Sequence, residues 1–251
     1  VRPLVQFLQA EFGNANGVEH RSRKEAVEQA LLVEQAQLEA VFEDVAVAAV
    51  KIGMVANAGI AEAIAEVLAR HRPPFVVFDP VMAASTHKRL MNESDLERIR
   101  TMLLPQVSLL TPNLKEAARL LGIAQPVDEA GMRACLPALQ ALGVPNVLLK
   151  GGHLADDTPD APESTDLLAT PEGVIRLSAP RIATRHGHGT GCTLSSAIAA
   201  LWPQHGLEKA TRMAKDYVHG ALLHADALQV GHGRGPLHHF WQAVHLPGQL
   251  A

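Results

Sequence analysis

The chain holds 251 residues, 47% of them apolar, with a formal net charge of −4. Such a length can bury the core of one large α/β domain, and the mild acidity argues against nucleic acid as the main partner, because neutralising phosphates takes concentrated Lys and Arg. No apolar run approaches the ~18 residues of a membrane span, and Val1-Arg2-Pro3 does not open the charged, apolar, small-residue order of a secretory signal.

Phe12 to Arg23 is polar and rich in Gly and Asn, and no strand signal stands out in the first 30 residues. Residues 24–45 (KEAVEQALLVEQAQLEAVFEDV) predict an amphipathic helix. From Val45 the pattern changes to short apolar runs alternating with helical stretches. Val45 to Ile52 predicts a buried strand, and Ala58 to His71 a helix with Ile60, Ile64, Val67 and Leu68 at helical spacing. Phe75 to Phe78 reads as a strand, then a helix around Glu97 to Leu104, then a strand at Val107 to Leu110. Leu114 to Leu121 predicts a helix stopped by Gly122. Glu129 to Leu142 follows as helix and Val147 to Lys150 as strand. The alternation predicts right-handed βαβ units in a mostly parallel sheet covered on both faces.

Asp156 to Ser164 is acidic and non-periodic, an expected loop, and Leu167 to Ala169 with Val174 to Leu177 predict a hairpin about Thr170-Pro171-Glu172-Gly173. Helices are expected over Cys192 to Leu201 and Glu208 to Ala227. With no internal repeat and no low-complexity linker, residues 1–251 read as one domain. The two cysteines, Cys135 and Cys192, fit neither a disulfide framework nor a zinc site and suit a reducing cytoplasm. No Cys or acidic residue at ligand spacing turns His186/His188 or His238-His239 into a transition-metal site.

Chemistry in an open parallel sheet collects at the carboxyl ends of the strands. Four such ends carry polar residues or glycine in succession: Lys51-Ile52-Gly53-Met54, Asp79-Pro80-Val81-Met82, Thr111 to Glu116, and Lys150-Gly151-Gly152-His153. A fifth segment, Gly187 to Leu194 (GHGTGCTL), turns into a helix. Glycines there let the backbone approach a ligand, and a helix start offers unpaired N–H groups with a positive dipole end, which together suit a transferring phosphoryl group. The same start is expected to stabilise a Cys192 thiolate. Each feature alone also has a structural explanation: Asn113 and Glu116 read as an N-cap with its N3 carboxylate, Asp79 as a turn former, Lys150 as a solvated strand end.

In order and spacing, AVKIGM (49–54), VVFDPVM (76–82), LLTPNLKEAARLLG (109–122), VLLKGGH (147–153), HGTGCTLSSAIAA (188–200) and VGHGRGPLHHF (230–240) resemble the ribokinase-like superfamily, and within it the hydroxymethylpyrimidine/phosphomethylpyrimidine kinases of thiamine biosynthesis. The resemblance spans about Gln37 to Phe240. It implies an α/β ribokinase-like fold and transfer of phosphate from ATP, with Mg²⁺, to 4-amino-5-hydroxymethyl-2-methylpyrimidine and then to its monophosphate. It also implies a cytoplasmic homodimer. By resemblance, Cys192 is the general base, Gly189, Thr190 and Gly191 form the anion hole, and Lys150 reaches the ATP phosphates. Asn113, Glu116, Gly151, Gly152 and His188 belong to the nucleotide side, Asp79 and Glu116 to Mg²⁺ and its waters, and Met54, Val81 and Cys192 to the pyrimidine. Residues 1–30 show no counterpart of the family's first strand and Gly-rich substrate segment, residues 83–89 differ from its lid, and a start at Val1 leaves room for residues ahead of it. The competing readings are a pyridoxal or pyridoxine kinase, a non-catalytic relative that binds nucleotide or pyrimidine, and a cysteine hydrolase built on Cys192 and His188.

Overall fold

The computed structural model describes residues 5–6, 35–82, 92–152, 154, 163–230 and 232–242. Among them, seven strands form one sheet in the order β1 (Val5–Gln6), β2 (Val50–Ile52), β3 (Val76–Phe78), β4 (Leu109–Leu110), β5 (Asn146–Lys150), β6 (Glu163–Thr170) and β7 (Gly173–Pro180). Strands β1 to β5 run parallel, with Lys51 beside Val77 and Phe78 beside Leu110, and β6 and β7 add an antiparallel hairpin.

Because sheet order follows chain order, each right-handed crossover steps in the same direction and leaves its helix on the same face. That face carries α2 (Ala58–His71), α3 (Glu93–Arg98), α4 (Leu114–Leu121) and α5 (Glu129–Gln140). Their side chains bury Val50, Ile52, Val76, Phe78, Leu110, Val147 and Leu149. The alternate strand residues, Val77, Leu109, Leu148 and Leu168, point the other way, against α6 (Thr190–His205) and α7 (Leu207–Leu223). The sheet is therefore covered on both faces. Lys51 falls between Val50 and Ile52 and so faces the α6 side.

The helices begin on polar caps. The Asn57 side chain accepts from the Ile60 amide at 3.0 Å to start α2. Asn92 and Asp95 form a reciprocal capping box on α3, and Asp95 also accepts from the Ala58 amide at 2.9 Å, which ties two helix starts together. Helix α4 stops at Gly122, whose φ of 67° is the left-handed turn that the sequence predicts there.

Several boundaries differ from the sequence-based expectation. The expected strand 45–52 is only Val50–Ile52, and a helix (α1, 35–44) ends just before it. The predicted amphipathic helix is helical over its described part, 35–44, while 24–34 lies outside the described residues. A strand does exist near the N-terminus: Val5 and Gln6 pair with Val50 and Lys51. Two residues carry no alternation to detect, so only the pairing partner reveals this strand. The helix expected over 97–104 starts earlier as α3 and continues through a π turn (Ile99–Leu103) and a 3₁₀ turn (Leu104–Gln106). Glu163 and Ser164 open β6 and do not belong to a loop.

Candidate active site

Backbone bonds lace the strand ends into one ledge. The Asp79 amide donates to the Ile52 carbonyl, the Thr111 amide to Phe78 and the Lys150 amide to Pro112, each at 2.9 Å. On that ledge the Lys150 ammonium lies 2.7 Å from Asp79 Oδ1, with Asp79 only 1% exposed. Burial works against the Lys150 charge, but Asp79, aided by Glu116, holds its pKa above the ordinary lysine value. Lys150 is thus a largely covered, paired cation and not a solvated strand end.

Asn113 and Glu116 form the expected capping box: Asn113 Oδ1 accepts from the Glu116 amide at 2.9 Å, and Glu116 Oε2 from the Asn113 amide at 2.8 Å. The structural and functional readings of this pair hold together, because the cap that starts α4 also points a carboxylate toward Lys150. Burial pushes the Glu116 carboxyl up to about 7, against the pull of Lys150 and the Asn113 hydrogen bond. Gly151 follows Lys150 into a tight corner, where a Cβ would lie 2.2 Å from the Thr165 carbonyl oxygen. Its amide donates to Asp166 at 3.0 Å, and Asp166 in turn holds Lys215 at 2.6 Å.

Helix α6 begins above this ledge. Its N-cap is Gly189, with a φ of 85° and no side-chain cap, so the first-turn amides stay available to a ligand. A Cβ on Gly191 would lie 3.1 Å from Lys150 Nζ and 3.7 Å from Asp79 Oδ2, so the helix start and the ion pair meet at this glycine. Thr190 Oγ1 donates to the Gly187 carbonyl at 2.8 Å and fixes the turn. Cys192 is exposed at the surface, but partial desolvation of its thiol and the Asp79 carboxylate, with which it shares a hydrogen bond, push it up against the opposing Lys51 and Lys150 ammoniums. The Asp79 carboxylate thus opposes the thiolate stabilisation expected at the helix start, while both lysines favour it.

The structure brings Asp79, Lys150, Glu116, Gly191 and Cys192 to one place. Met54 and Val81 follow the carboxyl ends of the neighbouring strands β2 and β3, with the Val81 amide bonded to the Asp79 carbonyl at 2.8 Å. Gly152 lies one residue beyond the Gly151 corner, its carbonyl approached by the Arg181 guanidinium at 3.4 Å. His188 is exposed and is held by its backbone, which pairs with Gly235 and Pro236. Next to it opens a cleft of about 700 Å³, lined by Thr184, Arg185, His186, Asp226 and Gln229 among others. Residues 83–91 and His153 lie outside the described residues. The sequence reading assigned no role to Lys51, Asp166, Lys215 or this cleft; for Lys51 the signal was available, a lysine inside the apolar run VAVAAVKI.

Among the described residues no three His, Cys, Asp or Glu side chains come together as a metal cage, and no helix is long and apolar enough to cross a membrane. A Mg²⁺ site of the usual kind needs only one or two carboxylates, with phosphates and water completing it, and Asp79 and Glu116, whose charges both act on Lys150, fit that pattern.

A family profile described as phosphomethylpyrimidine kinase matches residues 15–238. The chain is 50% identical over 206 residues to a hydroxymethylpyrimidine/phosphomethylpyrimidine kinase of Salmonella typhimurium, which covers 82% of this chain and 76% of the relative. Among solved structures it is similar to an ADP complex of Bacillus subtilis pyridoxal kinase (TM-score 0.75, 27% identity, 84% and 77% of the two chains). It is also similar to a phosphomethylpyrimidine kinase of Clostridium difficile (TM-score 0.64, 32% identity, 76% of each chain). The chain belongs to the phosphomethylpyrimidine kinase family, and its fold is ribokinase-like.

Proposed function

We propose that this family member phosphorylates 4-amino-5-hydroxymethyl-2-methylpyrimidine and then its monophosphate, using MgATP. The observation that carries the reading is the meeting at Gly191 of an uncapped helix start with a buried Lys–Asp pair, one helical position before Cys192. Such an assembly has fixed positive charge where a phosphoryl group in transfer spreads its negative charge.

In the first transfer the hydroxymethyl oxygen bonds to the γ-phosphorus, and the bond from that phosphorus to the β-phosphate oxygen breaks, releasing ADP. The hydroxyl proton goes to the Cys192 thiolate, which becomes the thiol. Lys150 and the amides of Gly189, Thr190 and Gly191 steady the moving phosphoryl group. Gly151, Gly152, Asn113 and His188 border the rest of the triphosphate, and the cleft beside His186 takes the nucleoside. Mg²⁺, when bound, draws charge from the triphosphate; Asp79 and Glu116 would hold it, partly through water. Met54 and Val81 face the pyrimidine. Residues 1–251 act as one kinase domain, a homodimer in the cytoplasm. The two unpaired cysteines suit that compartment, and family resemblance alone supports the dimer.

Pyridoxal is the second substrate to weigh, since the Bacillus pyridoxal kinase gives the higher TM-score of the two solved structures. That score compares backbones. The 50% identity to a hydroxymethylpyrimidine kinase compares side chains, and side chains select the ring. Coupled ADP release with each substrate tests the reading: turnover is expected on the hydroxymethylpyrimidine in preference to pyridoxal. Clear nucleotide binding without turnover on either would replace it with a non-catalytic role.

A further inference from the structure

The geometry points to Lys51 as the cation that receives the phosphate of the already phosphorylated acceptor. Lys51 is 4% exposed, in a strand otherwise buried by apolar neighbours. Among the described residues its ammonium has neither a hydrogen bond nor an ion pair within salt-bridge distance. A buried, unpaired charge is costly and persists where a ligand completes it.

Its direction is set by the sheet. Val50 and Ile52 point into the α2–α5 core, so Lys51 points to the side where α6 begins. Its Nζ lies 2.9 Å from where a Cβ on Gly53 would be, so the ammonium curls over the strand end that leads to Met54. The Cys192 thiol feels its charge, as it feels that of Lys150. Lys51 on β2 and Lys150 on β5 therefore stand on opposite sides of Asp79, which directly follows β3. Lys150 is already paired with Asp79, whereas Lys51 has no such partner among the described residues and lies beside the segment assigned to the pyrimidine.

The two transfers differ in what they ask of this position. A hydroxymethyl acceptor is neutral. Its monophosphate brings a charge of about −1.5 to −2 up to an ATP that is itself anionic. In the second transfer an acceptor phosphate oxygen bonds to the γ-phosphorus, the bond to the β-phosphate oxygen breaks and ADP leaves. A dianionic acceptor has no hydroxyl proton to give up. The demand moves from a base to a cation, and Lys51 supplies it. The same free cation admits phosphate monoesters of the ring and disfavours the return of the neutral alcohol once the first product has formed.

This inference rests on the proposed two-step kinase. Its test combines the kinetics of each transfer with equilibrium binding of each acceptor, by calorimetry, on wild type, Lys51→Met and Lys51→Arg, with unfolding midpoints confirming that each variant folds. In Lys51→Met, affinity for the monophosphate is expected to fall about 10- to 100-fold, the cost of one lost hydrogen bond to a charged group. The ratio of second to first transfer falls at least about tenfold with it, and Lys51→Arg keeps most of both. An equal fall in both transfers, or a loss of ATP affinity in place of monophosphate affinity, would overturn the assignment. Should Lys51→Met fail to fold, the same comparison with Lys51→Arg and Lys51→Gln decides, since only the first keeps the cation. If wild type phosphorylates neither acceptor, the kinase reading fails by itself. The binding arm still judges Lys51, which is refuted if wild type and Lys51→Met bind the monophosphate equally.

Discussion

Replacing Lys150 with Met removes the cation at the centre of the ledge while keeping its apolar stem. At 2.7 Å from Asp79 Oδ1, and with an effective dielectric of about 20, the direct attraction is about 6 kcal/mol. The net loss is smaller, because the variant no longer desolvates an ammonium. Removing one partner of a buried pair typically costs about 3–5 kcal/mol, chiefly from the charge left behind. Here that charge is Asp79, left with the Thr111 hydroxyl at 3.4 Å, too long to compensate, and the Cys192 thiol, a weak donor. Lys150 keeps 16% of its side chain exposed, so water reaches the orphaned carboxylate from one side, and we expect the lower end, about 3 kcal/mol. Urea unfolding of wild type, Lys150→Met, Asp79→Asn and the double variant measures this. The double variant should recover at least about 1 kcal/mol relative to Lys150→Met, because the unpaired charge is gone. A Lys150→Met protein within about 1 kcal/mol of wild type, or a double variant showing the simple sum of both losses, would refute the argument that this pair is held by mutual neutralisation.

Glu116, with its pKa raised from 4.5 to about 7, binds a proton more tightly folded than unfolded, so its contribution to stability is full below about 4.5 and is lost as pH rises through 7. Across that window wild type should lose about 3 kcal/mol from this group; Glu116→Gln, which can still accept the Asn113 N–H, should flatten the slope, and an unchanged slope would mean the carboxyl is not so perturbed. Cys192→Ala should slow the first transfer by about 10² or more and the second far less, since only the first has a hydroxyl proton to remove; equal losses would reassign the base. Because the Cys192 thiol is raised, the first-transfer rate on wild type should climb about tenfold per pH unit through neutrality while the second does not, and parallel profiles would count against thiolate as the base. Gly151→Ala should destabilise by more than the usual ~1–3 kcal/mol of overpacking, since the new methyl would meet a backbone carbonyl; a thermal midpoint near that of wild type would show that this corner can relax.

Periodicity was enough to recover the element order from Val50 to Leu223 because β3, α2, α4 and β5 carry strong local signals: β-branched runs, apolar residues at helical spacing, and Asn caps with a Gly stop. The strand at Val5–Gln6 escaped for the opposite reason, since two residues hold no pattern and pairing with Val50 and Lys51 defines them. The site divides in the same way. Gly191, Lys150 and Asp79 could be suspected from their places after predicted strands. Their convergence on one another is a property of the sheet order. A helix start at Cys192 is visible in sequence, whereas the Asp79 carboxylate that opposes it comes from another strand and is not. Lys51 carries no motif, because its meaning depends on a counter-ion that is lacking among the described residues, and only three dimensions show that.

The two-step transfer is tested in one tube by ³¹P NMR of the purified chain with MgATP and 4-amino-5-hydroxymethyl-2-methylpyrimidine. A monophosphate signal is expected to rise and then give way to a diphosphate, with two ADP formed for each pyrimidine consumed. ATP that stays intact while bound, or product that stops at the monophosphate when ATP is in excess, would contradict two-step transfer.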